Sequence, residues 1–570
     1  MIERVDCRDS HGRRKQHLGD FSISEEMPDD EGLAGVAAAP VISPLGIGEK
    51  SSEPAEKVRA SFKTEMGRIS RQSGVAFSGT IFTAVVGYGF KIYLARFLGA
   101  DALGLYALGI TIISFLGMVN TLGIPQSALR FVAEYSASKK ISELRALLWN
   151  GSWILLATNL IFALVLLKVG PWFASRFYHA PQLVGYLPWF AVIMIFSALN
   201  LFCGNVLTGY REAGRRTIIS KFISSPATIA ATVLLVSLGY GLRGYLIGQV
   251  FSACCVLALL IQWVWRLTPP EARSPSLKSL GVGREIWSIS VSMFGFGVMQ
   301  FFMVQTDRVA LGVYRGAHDV GIYAVVVSII AYETIFLHSV NQIFAPVIAD
   351  IHTRGEREVL ARLFQTLTKW ILGLTLPLAI VVICYAPAIM RIFGREFESG
   401  WSALVVGTLG QLVNCGVGSV GFLLLMSGHE RRLIRVQALM AVVMIVLCFE
   451  LVPLWGAFGA AVAAAITNIG MNFLNLIEVR RALKLSPYNW SYLKLAPSVG
   501  CAGLIVFLLS RSSFLAKAQL ASAVLALVLA YLAFCIVSLW TGLDTDDRLI
   551  TDAIVSRVRA TVFKTRPAGS

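Results

Sequence analysis

The sequence predicts an all-α polytopic membrane protein, built from two parallel six-helix repeats and two extra C-terminal helices. Three observations support this. Of 570 residues, 56% are hydrophobic and only 15% are charged, with a mean hydropathy of +0.67, far above that of an ordinary soluble chain. Apolar stretches of about 20 residues recur between short polar seams. One of those seams appears twice, once in each half of the chain.

The basic residues lie in short loops between apolar runs rather than in one soluble cluster. The formal net charge of +16 could indicate nucleic-acid binding, but proteins with that role concentrate their basic residues on one face. We therefore interpret these residues as topology signals and expect no nucleic-acid partner. The nine cysteines include no CxxC pair, so neither a disulfide framework nor a metal site is predicted.

Residues 1–72 differ from the rest of the chain in being polar and mixed in charge, which predicts a disordered tail. The start of the chain carries acids as well as bases and lacks an apolar core, so no signal peptide is predicted. Just before the first span, apolar residues recur at helical spacing beside lysines and arginines. That pattern fits a helix on anionic membrane lipids, and a solvated linker is the alternative.

Apolar runs predict about fourteen spans. Six belong to a first lobe, 73–266, and six to a second lobe, 286–485, with a polar linker at 267–285 between them. The last two lie in 486–541, before a C-terminal tail at 542–570. The predicted spans are 74–98, 103–128, 146–169, 184–208, 217–238, 242–265, 286–312, 319–345, 365–388, 400–426, 434–453, 457–479, 493–511 and 517–541.

The loops that follow even-numbered spans are the basic ones. With their edges they hold about 22 Lys and Arg, against about 10 in the odd-numbered loops, so the positive-inside rule places the even loops in the cytoplasm. Both termini and the linker are then cytoplasmic. The odd loops, which are short, are expected outside.

The seam LGADALGLYAL at 98–108 returns as RGAHDVGIYAV at 315–325. A constant offset of 217 residues superposes five identical residues: Gly99, Ala100, Gly104, Tyr106 and Ala107 on Gly316, Ala317, Gly321, Tyr323 and Ala324. Each copy contains six predicted spans, so both copies enter the membrane in the same direction and are parallel repeats. Such repeats are typical of alternating-access transporters, whose working site lies between the repeats; a merely structural duplication is the alternative.

Several strings together resemble one known family. They are YLARFLGADALGLYAL, the following IPQSALRFVAEY, and TDRVALGVYRGAHDVGIYAV in the second half. With the plan of six, six and two spans, they resemble the polysaccharide transporters, the Wzx-type oligosaccharide (O-antigen) flippases of the multidrug/oligosaccharidyl-lipid/polysaccharide (MOP) exporter superfamily. The likeness covers about residues 70–490.

This resemblance implies a V-shaped pair of six-helix lobes around a central cavity. It implies a substrate of undecaprenyl-pyrophosphate-linked oligosaccharide repeat units, moved across the bacterial inner membrane for O-antigen, capsule or exopolysaccharide biosynthesis. It also implies a polysaccharide polymerase and a chain-length regulator as partners in the same pathway.

Three other functions are weighed against this one. Lipid II flippases share the A-R-x-x-G-A pattern at 95–100, but the arginine–aspartate pairing of their first span is absent where this chain reads GFKIYLAR. Multidrug antiporters of the superfamily typically stop at twelve spans and place carboxylates in the cavity, whereas the first lobe has none deep in any span. A polymerase or ligase would need a large external loop. We therefore expect a transporter, not an enzyme, with no resident cofactor.

Cations are the first candidate site residues. Flipping needs no bond-making, but a pyrophosphate must leave water for a low-dielectric interior, which requires positive charge beside a wet cavity. The offset of 217 places Lys91 on Arg308; together they could bind a pyrophosphate between the lobes, and snorkelling to the membrane surface is the alternative. The resemblance adds Arg96 as a substrate-binding cation, with the same alternative.

Two acids are candidates for coupling to a proton or sodium gradient. Asp307 adjoins Arg308, and because adjacent residues on a helix do not face each other, we expect another partner, such as Lys91. Glu333 lies near the middle of the eighth predicted span, where an ionisable group indicates function; silent pairing with a buried base is the alternative. Asn341, with Gln342, extends a polar strip from Glu333 and is a candidate for substrate binding.

Two polar patterns are interpreted as structural. Asn468, Asn472 and Asn475 recur at helical spacing, which favours hydrogen bonds between helices over sugar contact. The GVGSVG string at 416–421 matches a dinucleotide-binding pattern but lies inside an apolar span without a preceding strand. We expect it to permit close packing or bending of a helix.

Overall fold

Helices form all of the regular structure in residues 52–273, 284–512 and 519–541, the parts of the chain that the computed structural model describes. Two units are distinguished, Met1–Glu65 and Met66–Ser570, and only the second is described in detail below. Of the predicted tail, residues 1–51 lie outside the described residues, and the backbone is helical from Ser52. Most of the linker and the C-terminal tail also lie outside them.

The first half of the chain contains one very long helix and several of ordinary membrane-spanning length. A π-helical turn at Ile218–Ile223 joins the fifth and sixth helices. The helices are α1 (Ser52–Asn120), α2 (Ile124–Ala137), α3 (Ile141–Arg176), α4 (Leu187–Gly209), α5 (Ala213–Thr217), α6 (Ser224–Ser237), α7 (Gly241–Leu267) and the short α8 (Pro270–Arg273).

The second half repeats this arrangement and adds two helices. Helices α18 and α19 pack on each other and on α12 through a small apolar cluster that includes Val381, Ala502 and Ala526. The helices are α9 (Arg284–Tyr314), α10 (Ala317–Glu333), α11 (Ile335–Thr353), α12 (Arg357–Cys384), α13 (Ala386–Phe393), α14 (Trp401–Val417), α15 (Val420–Met426), α16 (Glu430–Trp455), α17 (Ala457–Leu483), α18 (Leu495–Arg511) and α19 (Gln519–Trp540).

Many of these helices can cross a membrane. Among the described residues, ten are long and apolar enough, or up to twelve if each of two bent helix pairs is one span. The segment Phe82–Asn120 of α1 counts once in this total, although it covers parts of two predicted spans. The prediction of an all-α, multi-pass protein is confirmed, and the number fourteen stays a prediction.

Glycine opens the seam in both halves with the same backbone conformation. Gly99 interrupts α1 with φ 79° and ψ 173°, and Gly316, just before α10, has φ 82° and ψ −173°. This region of conformational space is essentially restricted to glycine. The repeated glycine is therefore required by the backbone, and in each half a new helical segment starts immediately after it.

A second pair of glycines lets the two seams touch. A Cβ atom on Gly104 would overlap the backbone carbonyl oxygen of Ala317, and one on Gly321 would overlap that of Ala100. The two contacts are reciprocal, since each glycine of one copy meets the alanine of the other. The halves therefore approach through a local two-fold arrangement, as in the interface of a symmetric dimer.

Replacing Gly321 by Ala is expected to destabilise the protein. The obstructing atom belongs to the backbone of Ala100, so the helices must separate, at a cost of about 1–3 kcal/mol. Thermal unfolding of the purified protein measures the change. Gly117→Ala is the matched control, because a Cβ there has nothing within 4 Å and alanine is favoured over glycine inside a helix. Equal unfolding temperatures for the two variants would contradict the proposed contact.

Candidate functional site

Polar contacts tie the first seam to a segment around residues 392–396 of the second half. The Nε of Arg96 donates a hydrogen bond of 2.7 Å to the carbonyl oxygen of Ile392. The backbone N–H of Ala100 donates one of 2.9 Å to Oε1 of Glu396. Arg96 thus lies just before the seam and contacts the other half of the chain, and its predicted role in substrate binding stays a prediction.

Asp101 and His318 meet on the local two-fold axis. They occupy equivalent positions of the repeat, 217 residues apart, and Oδ1 of Asp101 lies 3.3 Å from Nδ1 of His318. Residues that touch their own counterparts must lie on or close to the axis that relates the copies. At the seam, the first and second halves of the chain are therefore in direct contact.

A cavity of about 230 Å³ adjoins the seam and lies between the two halves. Lys91 and Arg308 both line it, so residues paired by the repeat offset are also brought together in space. Tyr106, Tyr245 and Ser328 supply its other polar groups, and the remaining lining is aliphatic. The cavity therefore presents two cations and three hydroxyl groups, with no carboxylate in its lining.

Aromatic rings hold Lys91 on one wall of the cavity. Its Nζ lies 5.9 Å from the centre of the Tyr332 ring, within the range of a cation–π interaction. The Tyr332 hydroxyl donates a 3.2 Å hydrogen bond to the carbonyl oxygen of Ala84, and Tyr88 packs edge-on against the same ring. The described residues form no ion pair with Lys91, so these contacts orient its charge without neutralising it.

Arg308 has an unused hydrogen-bond donor. Its Nη1 donates to Oε1 of Gln305, while its Nε is buried and without a hydrogen-bond partner. A buried donor without a partner is costly, and a bound anion would remove that cost. Together with Lys91, this guanidinium makes the cavity suitable for an oxyanion.

Tyr323, rather than Lys91, is the partner of Asp307. The Tyr323 hydroxyl donates a 2.9 Å hydrogen bond to Oδ2 of Asp307, and the backbone N–H of Arg308 donates one of 2.8 Å to Oδ1. Asp307 is only 6% exposed. In the first half the equivalent tyrosine, Tyr106, instead accepts a 2.7 Å hydrogen bond from Nε2 of Gln249. The two copies thus use the same tyrosine for different partners.

Glu333 lies where a helix breaks. It is the last residue of α10, and the chain bends by 48° before continuing as α11. Its side chain is buried, at 1% exposure. Oε1 accepts a 2.7 Å hydrogen bond from Thr408, and Oε2 is buried without a partner. No lysine or arginine among the described residues pairs with it, which argues against the alternative of silent ion pairing.

Asn341 joins this broken helix to a second one. Its Oδ1 accepts a hydrogen bond from the hydroxyl of Ser419, which lies between α14 and α15, a pair bent by 45°. Gly418, with φ 75°, begins that break, so the glycine-rich string bends a helix as expected. Asn341 does not line the cavity around Lys91 and Arg308, and the side chain of Gln342 lies outside the described residues.

One of the three asparagines of α17, Asn468, makes a hydrogen bond to another helix. The Nδ2 of Asn468 donates a 3.0 Å hydrogen bond to Oε1 of Gln411 in α14. Asn472 in turn donates to the side chain of Asn468 at 2.9 Å, and Asn475 is buried. These contacts support the structural interpretation of the pattern.

A change in the repeat offset marks the position of Glu333 and was missed in the sequence. VNTLGIP at 119–125 matches VNQIFAP at 340–346 with an offset of 221 instead of 217. The second half therefore has four additional residues between Tyr323 and Asn341, about one helical turn. Glu333 and the helix break fall within this interval. Among the described residues, the first half has no buried acid in the corresponding interval, so the insertion and the buried acid occur in the same half.

A family model described as "Polysaccharide biosynthesis protein" matches residues 93–405, more than half of the chain. The chain belongs to this family. A relative named probable flippase AglR, from Haloferax volcanii, is 23% identical to this chain over 434 residues, which cover 73% of the chain and 83% of the relative.

Two solved structures share the fold of this chain. A lipid II flippase, MurJ, in an inward closed conformation has a TM-score of 0.65 and 16% identity, covering 80% of this chain and 97% of its own. An inward-facing multidrug resistance MATE family transporter of the MOP superfamily has a TM-score of 0.59 and 15% identity, covering 71% and 94%. The expected likeness to the fold of MOP-superfamily proteins is confirmed, in agreement with a multi-pass arrangement of apolar helices.

The two equivalent tyrosines are expected to differ in their contribution to stability. Tyr323→Phe removes a hydrogen bond to a carboxylate, which contributes about 1.5–3 kcal/mol, whereas Tyr106→Phe removes a neutral bond of about 0.5–1.5 kcal/mol. Thermal unfolding should therefore show the larger decrease for Tyr323→Phe. A larger decrease for Tyr106→Phe would mean that Asp307 does not depend on this hydroxyl.

Proposed function

We propose that this protein is a flippase that moves undecaprenyl-pyrophosphate-linked oligosaccharide repeat units across the bacterial inner membrane. The translocated repeat units would serve O-antigen, capsule or exopolysaccharide biosynthesis. The observation that carries the proposal is the pair Lys91 and Arg308, which come from equivalent positions of the two repeats and line one cavity between them. A pyrophosphate is the group that two such cations bind well.

In this proposal the two halves are the lobes 73–266 and 286–485, which rock against each other in alternating access. The seam is the external gate, and both termini are cytoplasmic, as the distribution of basic residues predicts. With the seam closed, the cavity of about 230 Å³ holds only the pyrophosphate and the groups next to it. The lobes must therefore separate before a whole repeat unit can pass.

The other polar groups of the cavity suit the sugar next to the pyrophosphate. Tyr106 and Tyr245 lie with their ring centres 4.8 Å apart, and both line the cavity beside Ser328. Aromatic rings offer apolar faces together with hydroxyl groups, which matches the mixed surface of a sugar. These residues are proposed to contact the first sugar of the repeat unit.

Glu333 is the proposed site of ion coupling. Its buried and partner-free Oε2 needs a proton or a bound cation, because a bare carboxylate is costly in such surroundings. The adjoining helix breaks expose helix ends and carbonyl groups of the kind that coordinate ions in transporters. Asp307, next to Arg308 in sequence but outside the cavity lining, is the second acid assigned to coupling.

Two alternatives within the same fold are distinguished by substrate. A lipid II flippase would also use cavity cations for a pyrophosphate, so only the transported sugar separates it from the first proposal. A multidrug antiporter for cationic compounds is disfavoured, because the cavity lining contains two cations and no acid. Flipping assays with lipid II and with a lipid-linked repeat unit decide between the first two.

Replacing both Lys91 and Arg308 by Ala is expected to abolish polysaccharide export. Each removed cation takes away a charge-assisted contact to the pyrophosphate, and two contacts together correspond to a loss of about 100-fold or more. The measurement is surface polysaccharide in a deletion strain that carries the variant, with membrane protein quantified. Lys168→Ala, an exposed lysine of α3, is the control. Normal export by the double variant at normal protein levels would overturn the proposed pyrophosphate site.

Glu333→Gln is expected to uncouple transport from the ion gradient. Glutamine can still accept the hydrogen bond from Thr408 but cannot exchange a proton or balance a cation. Gradient-driven flipping in proteoliposomes should be lost, while substrate binding to the purified protein is retained. Thr408→Val is the comparison, since it removes the hydrogen bond and keeps the acid. Equal responses of wild type and Glu333→Gln to imposed proton and sodium gradients would refute the role of Glu333.

A further inference from the structure

A second cavity lies on the other side of helices α1 and α9 from the cavity lined by Lys91 and Arg308, which is named the cation cavity below. It has a volume of about 340 Å³ and is lined by side chains of α1, α3, α9 and α16. Apart from two threonines and the ring of Tyr178, the lining consists of aliphatic and phenylalanine side chains. It is named the apolar crevice below. Neither the cation site nor the coupling site accounts for it.

The apolar crevice is open along one edge. Its rim carries Phe115, Val165, Val169 and Phe449, which are between 41% and 51% exposed, whereas its inner wall includes Leu166, which is 2% exposed. Val165 and Val169 belong to the exposed apolar face of α3, which also includes Leu160, Ile161 and Leu164. In a multi-pass protein such a face meets lipid, so the crevice opens sideways to the hydrocarbon interior of the membrane.

The apolar crevice and the cation cavity lie at the same level. On α9, Arg308 lines the cation cavity, and its neighbours Thr306 and Val309 line the crevice. On α1, Ile110 lines the cavity and Thr111 lines the crevice. The two spaces are thus back to back, separated by the contact between these two helices.

Among the described residues, that separating contact includes a polar link between Gln305 and Ser114. Nε2 of Gln305 lies 3.4 Å from the hydroxyl of Ser114, and Phe115 packs edge-on against Phe301 with ring centres 5.4 Å apart. Gln305 also accepts the hydrogen bond from Arg308. Contacts therefore run from Arg308 through Gln305 to Ser114, the neighbour of Phe115 in the crevice wall.

We propose that the apolar crevice holds the first part of the isoprenoid chain of the substrate while its pyrophosphate lies at Lys91 and Arg308. The proposal rests on the function proposed above and adds a site for the lipid. The crevice lining is about as apolar as the membrane interior, so it admits the chain, which a polar or charged lining would exclude. The chain passes between α1 and α9 when the lobes open that contact, and it leaves the protein at the exposed rim of the crevice, not through the opposite wall, where Tyr88 and Tyr332 pack.

The level of the crevice favours the substrate over an ordinary membrane lipid as its occupant. A phospholipid keeps its phosphate at the membrane surface. The part of its chain that reaches the crevice would therefore contact it as it contacts any other exposed apolar helix face. Only a lipid whose phosphate is drawn to Arg308 has the start of its chain beside Thr306 and Val309. Occupancy should therefore depend on the pyrophosphate.

Photocrosslinking tests the site directly. A benzophenone amino acid replaces Phe449 at the rim, and in the control protein it replaces Phe473, a 59% exposed residue of α17 that does not line the crevice. The probe is tritiated undecaprenyl pyrophosphate in liposomes. We expect at least several times more labelling at position 449, and loss of that excess when unlabelled undecaprenyl pyrophosphate is added. Equal, non-competed labelling at both positions would show bulk lipid and overturn the proposal.

Filling the crevice provides a functional test. Val169→Trp places an indole at the rim, and the steric clash of this indole with the chain corresponds to a decrease in flipping of about tenfold. Leu164→Trp, on the same helix but outside the crevice, should have little effect. Equal activity of the two variants at equal protein levels would count against the crevice.

The two proposals fail in different ways. Competed labelling at position 449 that persists with tritiated undecaprenol and in the Lys91→Ala, Arg308→Ala protein would support an isoprenoid site but contradict the pyrophosphate dependence of its occupancy. Normal export by the double alanine variant, together with competed labelling at position 449 in the protein that retains Lys91 and Arg308, would overturn the pyrophosphate site alone. Absence of specific labelling with loss of export in the double variant would overturn the crevice alone.

Discussion

The reciprocal contact of two glycines with two backbone carbonyls is the constraint on which the rest of the structure depends. Gly104 and Gly321 each lie against the first helical turn of the other seam, and no larger residue fits without moving a helix. This contact fixes the local two-fold relation between the halves. It thereby determines which residues of the second seam each residue of the first one meets. Lys91 and Arg308 share a cavity because they lie about the same distance from the seam in each copy.

The architecture and the pairing of the cations could be predicted because they depend on regular patterns. Apolar length identifies membrane helices, and a constant offset between repeats identifies equivalent positions. The partner of Asp307 could not be predicted in this way. Tyr323 reaches it from the neighbouring helix α10, and contacts between helices depend on rotation and tilt that a periodic pattern does not contain. For the same reason the position of Arg96, three residues before the interruption of α1 at Gly99, did not indicate a hydrogen bond to Ile392.

The broken helices show a different limit of sequence analysis. Glu333 was recognisable as an acid in an apolar run, but the bend beside it was not, since TIFLHSV contains neither proline nor glycine. The available clue was the shift of the offset from 217 to 221, which requires comparing motifs on both sides of the insertion. Because four residues exceed one helical turn of 3.6 residues, a straight helix would rotate everything beyond the insertion. Breaking the helix allows Asn341 to keep a polar partner like its counterpart Asn120, which donates to Asn159 at 2.7 Å.

The pair Asp101 and His318 shows what joining the repeats in one chain makes possible. Both residues lie at the axis and face their own counterpart. In a symmetric dimer of the first half, aspartate would face aspartate, and like charges would repel at the closest point of approach. A single chain can carry a different residue in each copy at such a position. Two repeats joined in one chain therefore allow two different side chains to form a hydrogen bond on the symmetry axis, which no assembly of identical subunits can achieve.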